Sequence, residues 1–214
     1  MIVATTNCVV GYEITLWITR KFIFLLSDAI RQYKNIVPKA LCKELIDWFE
    51  ESKTVRVDDH RKQSEELQII GDPRPEAVKY KHLLSDYIYP LGKRYEKKMY
   101  ALCHKDYKPQ DTPLTKAFNT GFRSLQIQKY TPEDKGYPAV HIESGPDHVK
   151  KYLAVILYLN DVDKGGETVF PMGGTAIEPE AGKIAIWPVG IPFYHCGNHA
   201  ETVKYIITSW FEFL

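Results

Sequence analysis

The sequence predicts an α+β chain whose C-terminal half folds as a jelly roll and whose N-terminal half contributes supporting helices. Three observations carry this expectation. From Phe122 onward, short apolar runs alternate with Gly and Pro punctuation, giving eight strands in roughly 90 residues. Between residues 39 and 103 the apolar residues instead recur at helical spacing. One run, Tyr152 to Leu159, is almost wholly apolar, as a strand covered on both faces would be.

In the N-terminal half, Ala40, Leu41, Leu45, Ile46 and Phe49 line one face of a helix over 39–52, with Pro38 at its start. Val78, Tyr80, Leu83, Leu84, Tyr87, Ile88, Leu91, Tyr95, Met99 and Leu102 define a second helical stretch over 76–103. Pro90 interrupts it, so two helices or one kinked helix are expected. The mixed-charge segment 55–75 reads as a solvated loop, with a lid over a substrate as the functional alternative. A second loop covers 104–121. Strands are expected near 123–130, 139–144, 152–160, 167–170, 175–178, 183–187, 192–196 and 204–213. The division that follows is an N-terminal extension of unassigned role over 1–30 and one domain over 31–214. Its helical support spans about 39–103 and its jelly-roll core about 122–214. Within the extension, 2–10 could be a strand and 14–26 either strand or helix.

Composition narrows the function classes. The 28 Lys and Arg against 27 Asp and Glu argue against a dedicated nucleic-acid binder. The four cysteines Cys8, Cys42, Cys103 and Cys196 include no C-x-x-C pair, which disfavours a zinc ribbon or a thioredoxin-type motif. The run Phe22 to Leu26, preceded by Arg20 and Lys21, is too short to span a bilayer and too deep for a standard signal peptide. A cytoplasmic protein with free thiols and no membrane contact is the expectation.

His141 and Glu143 lie two apart on an expected strand, so an imidazole and a carboxylate share one face. They could be two ligands of a facial 2-His-1-carboxylate triad, with the third ligand on another strand and the remaining metal positions open. On the last strand Lys204, Ile206, Thr208 and Trp210 share a face. A lysine beside Ile and Trp needs an anionic partner, unless it sits at the strand end and reaches water.

These residues fall within a longer ordered pattern: Tyr130-Thr131-Pro132, Tyr137, His141-x-Glu143, the run from Leu153 to Asp161, Gly165-Gly166-Glu167-Thr168-x-Phe170-Pro171, Pro179-x-x-Gly182, His195-x-Gly197, and Lys204-Tyr205-Ile206 with Trp210. Over its last 90 residues or so the chain resembles the prolyl 4-hydroxylase-like branch of the 2-oxoglutarate/Fe(II) dioxygenases. The resemblance implies a double-stranded β-helix (jelly-roll, cupin-like) core. It also implies Fe(II) held by His141, Glu143 and His195, with no catalytic side chain beyond the metal centre. Lys204 would bind the distal carboxylate of 2-oxoglutarate. Tyr130 and Thr168 would be its polar contacts, with Tyr137 and Trp210 lining the same pocket. The implied reaction is hydroxylation of an unactivated C–H bond of a prolyl residue in a peptide or protein. Dioxygen is consumed, succinate and carbon dioxide are released, and ascorbate is a candidate accessory reductant. Fe(II), one carboxylate, two neutral imidazoles and Lys204 leave two positive charges, which the 2-oxoglutarate dianion would balance.

The chain departs from the family at one ligand, where Glu143 stands in place of the usual Asp. His199, four residues after His195, and His148 read as loop histidines. The competing classes are a metal-free jelly-roll module that only docks a partner, and a zinc hydrolase. The latter would have no need of Lys204 or of the Gly165-Gly166-Glu167-Thr168 match.

Overall fold

The computed structural model describes residues 26–103 and 120–213. The readings for 1–25 and for most of the second loop, 104–119, lie outside these residues. In chain order the elements are β1 (Arg31–Tyr33), α1 (Lys39–Glu50), β2 (Val55–Asp58), β3 (Gln63–Gln68), α2 (Pro75–Cys103), β4 (Thr120–Tyr130), β5 (Tyr137–His141), a 3-10 turn at Pro146–His148, β6 (Lys151–Tyr158), β7 (Thr168–Phe170), β8 (Thr175–Ile177), β9 (Ile184–Pro188), β10 (His195–Gly197) and β11 (Lys204–Phe213). A seven-stranded sheet runs β1-β9-β6-β11-β4-β3-β2 and a four-stranded sheet runs β5-β10-β7-β8. All pairings are antiparallel. This is the expected jelly roll with helical support.

Strand β6 explains why two cores exist. Leu153, Val155 and Leu157 point to the helices, where they pack in one cluster with Leu45 and Phe49 of α1 and Leu84, Ile88 and Tyr95 of α2. Ala154, Ile156 and Tyr158 point the other way. They join Phe170, Ile177, Trp187 and Ile206 between the two sheets. An apolar run with no polar alternation is what a strand buried on both faces requires. Leu157 is fully buried at 0% exposure, so Leu157→Ala should cost about 2–5 kcal/mol, read as a lowered urea midpoint at unchanged slope.

Helix α1 buries Cys42, Leu45, Trp48 and Phe49 along one stripe. Helix α2 continues through Pro90 as one element. Asp86, whose carbonyl Pro90 cannot serve, lies with Pro90 on the exposed side, where water can take over that bond. The buried stripe of Ala77, Tyr80, Leu84, Ile88, Leu91 and Tyr95 is therefore unbroken.

The segment expected as a solvated loop contains a hairpin instead. Strands β2 and β3 pair with each other, and β3 joins β4, with Glu65 opposite Lys129 and Leu67 opposite Ile127. Only Ser64 and Leu67 of this hairpin are buried, so it carries charges where apolar alternation would otherwise have signalled strands. Charge on an edge hairpin also discourages pairing with another chain. Arg56 fastens it to the Thr131–Asp134 turn through an ion pair with Asp134 at 2.5 Å. Among the described residues no helix is long and apolar enough to cross a membrane.

Candidate metal centre

β5 and β10 lie side by side in the small sheet, with His141 and His195 as direct cross-strand partners. Each imidazole makes the same local bond, from Nδ1 to the carbonyl two residues back: Ala139 at 2.8 Å for His141 and Phe193 at 3.1 Å for His195. A carbonyl can only accept, so each ring carries its proton on Nδ1 and leaves the Nε2 lone pair free. Both Nε2 atoms face Glu143 Oε1, at 3.6 Å from His141 and 3.3 Å from His195. The three ligand atoms lie within 4.8 Å of one another. Tyr137 stacks on His141 with ring centroids 4.0 Å apart, and Phe170 and Trp187 wall His195, which is 3% exposed.

Burial alone would raise the Glu143 carboxyl; when the two imidazoles are also protonated on Nε2, their hydrogen bonds and charge more than offset it and hold it below the usual carboxylate range, and a metal cation in place of those protons would act in the same direction. Its second oxygen, Oε2, accepts a 2.9 Å hydrogen bond from Trp210 Nε1. Two preset Nε2 donors and one carboxylate oxygen fit a non-haem iron, and leave the remaining positions to other ligands.

Lys204 enters the same cavity from β11, 4% exposed, with Nζ donating to the Gly166 carbonyl at 2.9 Å and lying 5.0 Å from the Tyr130 ring centroid. Burial lowers its pKa to about 8, against a smaller upward pull from Glu167. Among the described residues no carboxylate forms an ion pair with it. The Gly165-Gly166 pair makes this approach possible. Both residues have positive φ; a Cβ on Gly166 would stand 3.2 Å from Lys204 Cδ, and one on Gly165 would stand 2.2 Å from the His199 carbonyl oxygen. Thr168 Oγ1 and Tyr158 Oη share a buried 2.7 Å hydrogen bond, and Tyr130 Oη donates to Gln128 Oε1 at 2.8 Å.

All eight residues singled out from the sequence (His141, Glu143, His195, Lys204, Tyr130, Thr168, Tyr137 and Trp210) line one cavity of about 250 Å³. His199 does not join them: its Nε2 bonds the Pro132 carbonyl at 2.8 Å. His148 stands at the cavity wall but is exposed. The sequence reading did not single out Gln126, Gln128, Thr208, Lys62 or Lys151, which also line the cavity. The first three had a visible signal, since Gln126 and Gln128 alternate with Tyr130 on β4, as Thr208 does with Lys204 on β11. Lys151 had none. It pairs with Glu212 across a register shift that places Tyr152 as an extra residue of β6, and this bulge turns the lysine inward.

Two His and one carboxylate thus converge in one cavity of a jelly roll, an arrangement suited to binding a metal ion. Residues 125–212 match the 2OG-Fe(II) oxygenase superfamily. No curated protein matches the chain in sequence. Among solved structures, the chain resembles a prolyl-4-hydroxylase of Pseudomonas putida at 16% identity and TM-score 0.62, covering 92% of this chain and 99% of that one. It also resembles a prolyl hydroxylase of Trichoplax adhaerens, solved with a hypoxia inducible factor peptide fragment. Here identity is 16% and TM-score 0.60, with 92% of each chain covered. The viral collagen prolyl hydroxylase of Paramecium Bursaria Chlorella virus-1, in its 2OG complex, matches at 18% identity and TM-score 0.55, covering 87% of this chain and 97% of that one. The resemblance read from the sequence is borne out: the superfamily match falls on the strands that carry the site, and these three structures that share the fold are prolyl hydroxylases.

Proposed function

We propose that this chain is an Fe(II)- and 2-oxoglutarate-dependent dioxygenase that hydroxylates a prolyl residue in a peptide or protein, releasing succinate and carbon dioxide. The observation that carries the proposal is the pairing, in one cavity, of three convergent metal-binding atoms with a buried lysine that has no anionic partner among the described residues. Iron with 2-oxoglutarate would supply the oxidant for an unactivated C–H bond.

The chain's own residues perform the placement. His141 and His195, fixed by their Nδ1 bonds, present Nε2 to the metal; Glu143 presents Oε1. Lys204 takes the distal carboxylate of the cosubstrate, beside Thr168 and the Tyr130 ring. With Lys204 the site has two positive charges to match the dianion, so the loaded cavity approaches neutrality. Tyr137 and Trp210 wall the cavity. The prolyl substrate follows the shared fold, and the hairpin β2–β3 is where a peptide could be gripped.

Anaerobic addition of Fe(II) and 2-oxoglutarate should produce a weak visible charge-transfer band in the wild type and none in Glu143→Ala. Succinate release with a panel of prolyl peptides then tests the substrate, with ascorbate as a variable in the same assay. Absence of the band at saturating Fe(II) and cosubstrate would reject the oxygenase reading in favour of a binding module.

A further inference from the structure

The glutamate that departs from the family's usual aspartate makes one contact that its length permits. Glu143 Oε1 faces both ligand imidazoles, while Oε2 accepts from Trp210 Nε1 at 2.9 Å. The carboxylate therefore spans two fixtures. The histidines stand on the small sheet and the tryptophan on β11 of the large one. Trp210 is itself held. Its neighbours on β11 belong to a ladder with β6, in which it lies opposite Ala154, and the Lys151 ammonium sits 3.6 Å from its ring centroid. A cation on an indole face draws electron density from the ring, which makes the Nε1 proton a stronger donor toward a carboxylate.

We propose that Trp210 is a positioning residue for the metal ligand. Its indole N–H holds Glu143 Oε2, so that only Oε1 is offered to the metal. The pair Glu143–Trp210 thereby does what a shorter carboxylate does alone. An aspartate at 143 would withdraw the carboxylate by one C–C bond, about 1.5 Å. It could then keep either the metal side or the indole side, but not both. Without the indole, the longer side chain is free to turn its second oxygen to the metal or to swing away. The proposal rests on the metal-centre reading above, and assigns Trp210 a task separate from lining the cavity.

Co(II) alone is the probe, titrated into the full chain without 2-oxoglutarate and followed by calorimetry and by its visible ligand-field spectrum. The four proteins are wild type, Trp210→Phe, Glu143→Asp and the double variant. His141→Ala is the control for the site. A fifth protein carries the benzothiophene analogue of tryptophan at position 210, which preserves the ring and removes only the N–H donor. Loss of an outer-shell partner of a ligand should weaken Co(II) binding about 10–100-fold in Trp210→Phe and in the analogue protein. Their ligand-field spectra should shift, reporting a changed carboxylate mode that a merely structural defect would not give. Glu143→Asp should weaken binding at least about tenfold when Trp210 is present. Added to Trp210→Phe in the double variant, the same exchange should cost less than about threefold, because no indole bond is left to lose.

Unchanged affinity and spectrum in the analogue protein, with Co(II) bound by the wild type and lost in His141→Ala, would overturn the positioning role and leave the metal centre intact. Full multiplication of the two single losses in the double variant would overturn it as well. If the wild type bound no Co(II), the metal centre itself would be rejected, and the assignment of Trp210 with it.

Discussion

Replacing His195 by alanine is expected to abolish cosubstrate turnover and to weaken metal binding well beyond the ~10–100-fold typical of losing an outer-shell partner. The ring is 3% exposed and contributes one of only two preset Nε2 donors. Among the described residues neither remaining histidine near the site joins the ligand cluster: His199 is bound to the Pro132 carbonyl, and His148 stands exposed at the cavity wall. His141→Ala should behave alike. Fe(II) titration together with succinate release measures both effects, and full succinate production by either variant would take that histidine out of the centre.

Replacing Lys204 by methionine is expected to separate binding from folding, with opposite signs. Removing one partner of a buried charge pair commonly costs 2–5 kcal/mol, so the apparent Kd for 2-oxoglutarate should rise on the order of a hundredfold or more. The ligand-free fold should gain stability. Burial lowers the Lys204 pKa from 10.5 to about 8. Between these values the unfolded chain binds the extra proton, so wild-type stability rises with pH across that window and the whole penalty is present below about pH 8. The shift corresponds to about 3 kcal/mol, from which the lost bond to Gly166 subtracts about 1 kcal/mol. Lys204→Met should therefore be more stable than wild type by about 2 kcal/mol at pH 7, and above about pH 10 that advantage should be gone, leaving the variant less stable by the about 1 kcal/mol of the lost Gly166 bond. Cosubstrate affinity of the wild type should fall as pH rises through about 8. Urea unfolding at several pH values, with and without cosubstrate, checks both signs; a variant less stable at pH 7 would show that the lysine is not held against its solvation.

The jelly-roll half was legible because burial there is patterned. The run from Tyr152 to Leu159 read as a strand covered on both faces, as β6 is, and the face shared by Lys204, Ile206, Thr208 and Trp210 follows from strand alternation alone. Strand ends drifted: β5 stops at His141, and Glu143 reaches the cluster from just beyond it, where its N–H bonds the Val189 carbonyl at 3.2 Å. The hairpin β2–β3 stayed hidden because an edge pair rich in charged residues, with only Ser64 and Leu67 buried, has no apolar period to read. Pro90 suggested a break that the exposed side of α2 absorbs. At the site, the residues that alternate with known ones could have been found. Lys151 could not, because its inward direction depends on a bulge created by pairing between strands distant in sequence.

Strand β6 touches the helix-side core with one face and the inter-sheet core with the other, so it has no side on which sequence can drift freely. Substitutions there are confined to volume-conserving exchanges, and each exchange is felt on both sides of the sheet. Lys62 on the hairpin and His148 in the 3-10 turn line the cavity yet belong to neither core, so they can change without disturbing either. For anyone retargeting this protein, the useful library is short and peripheral, and the central strands are best left alone.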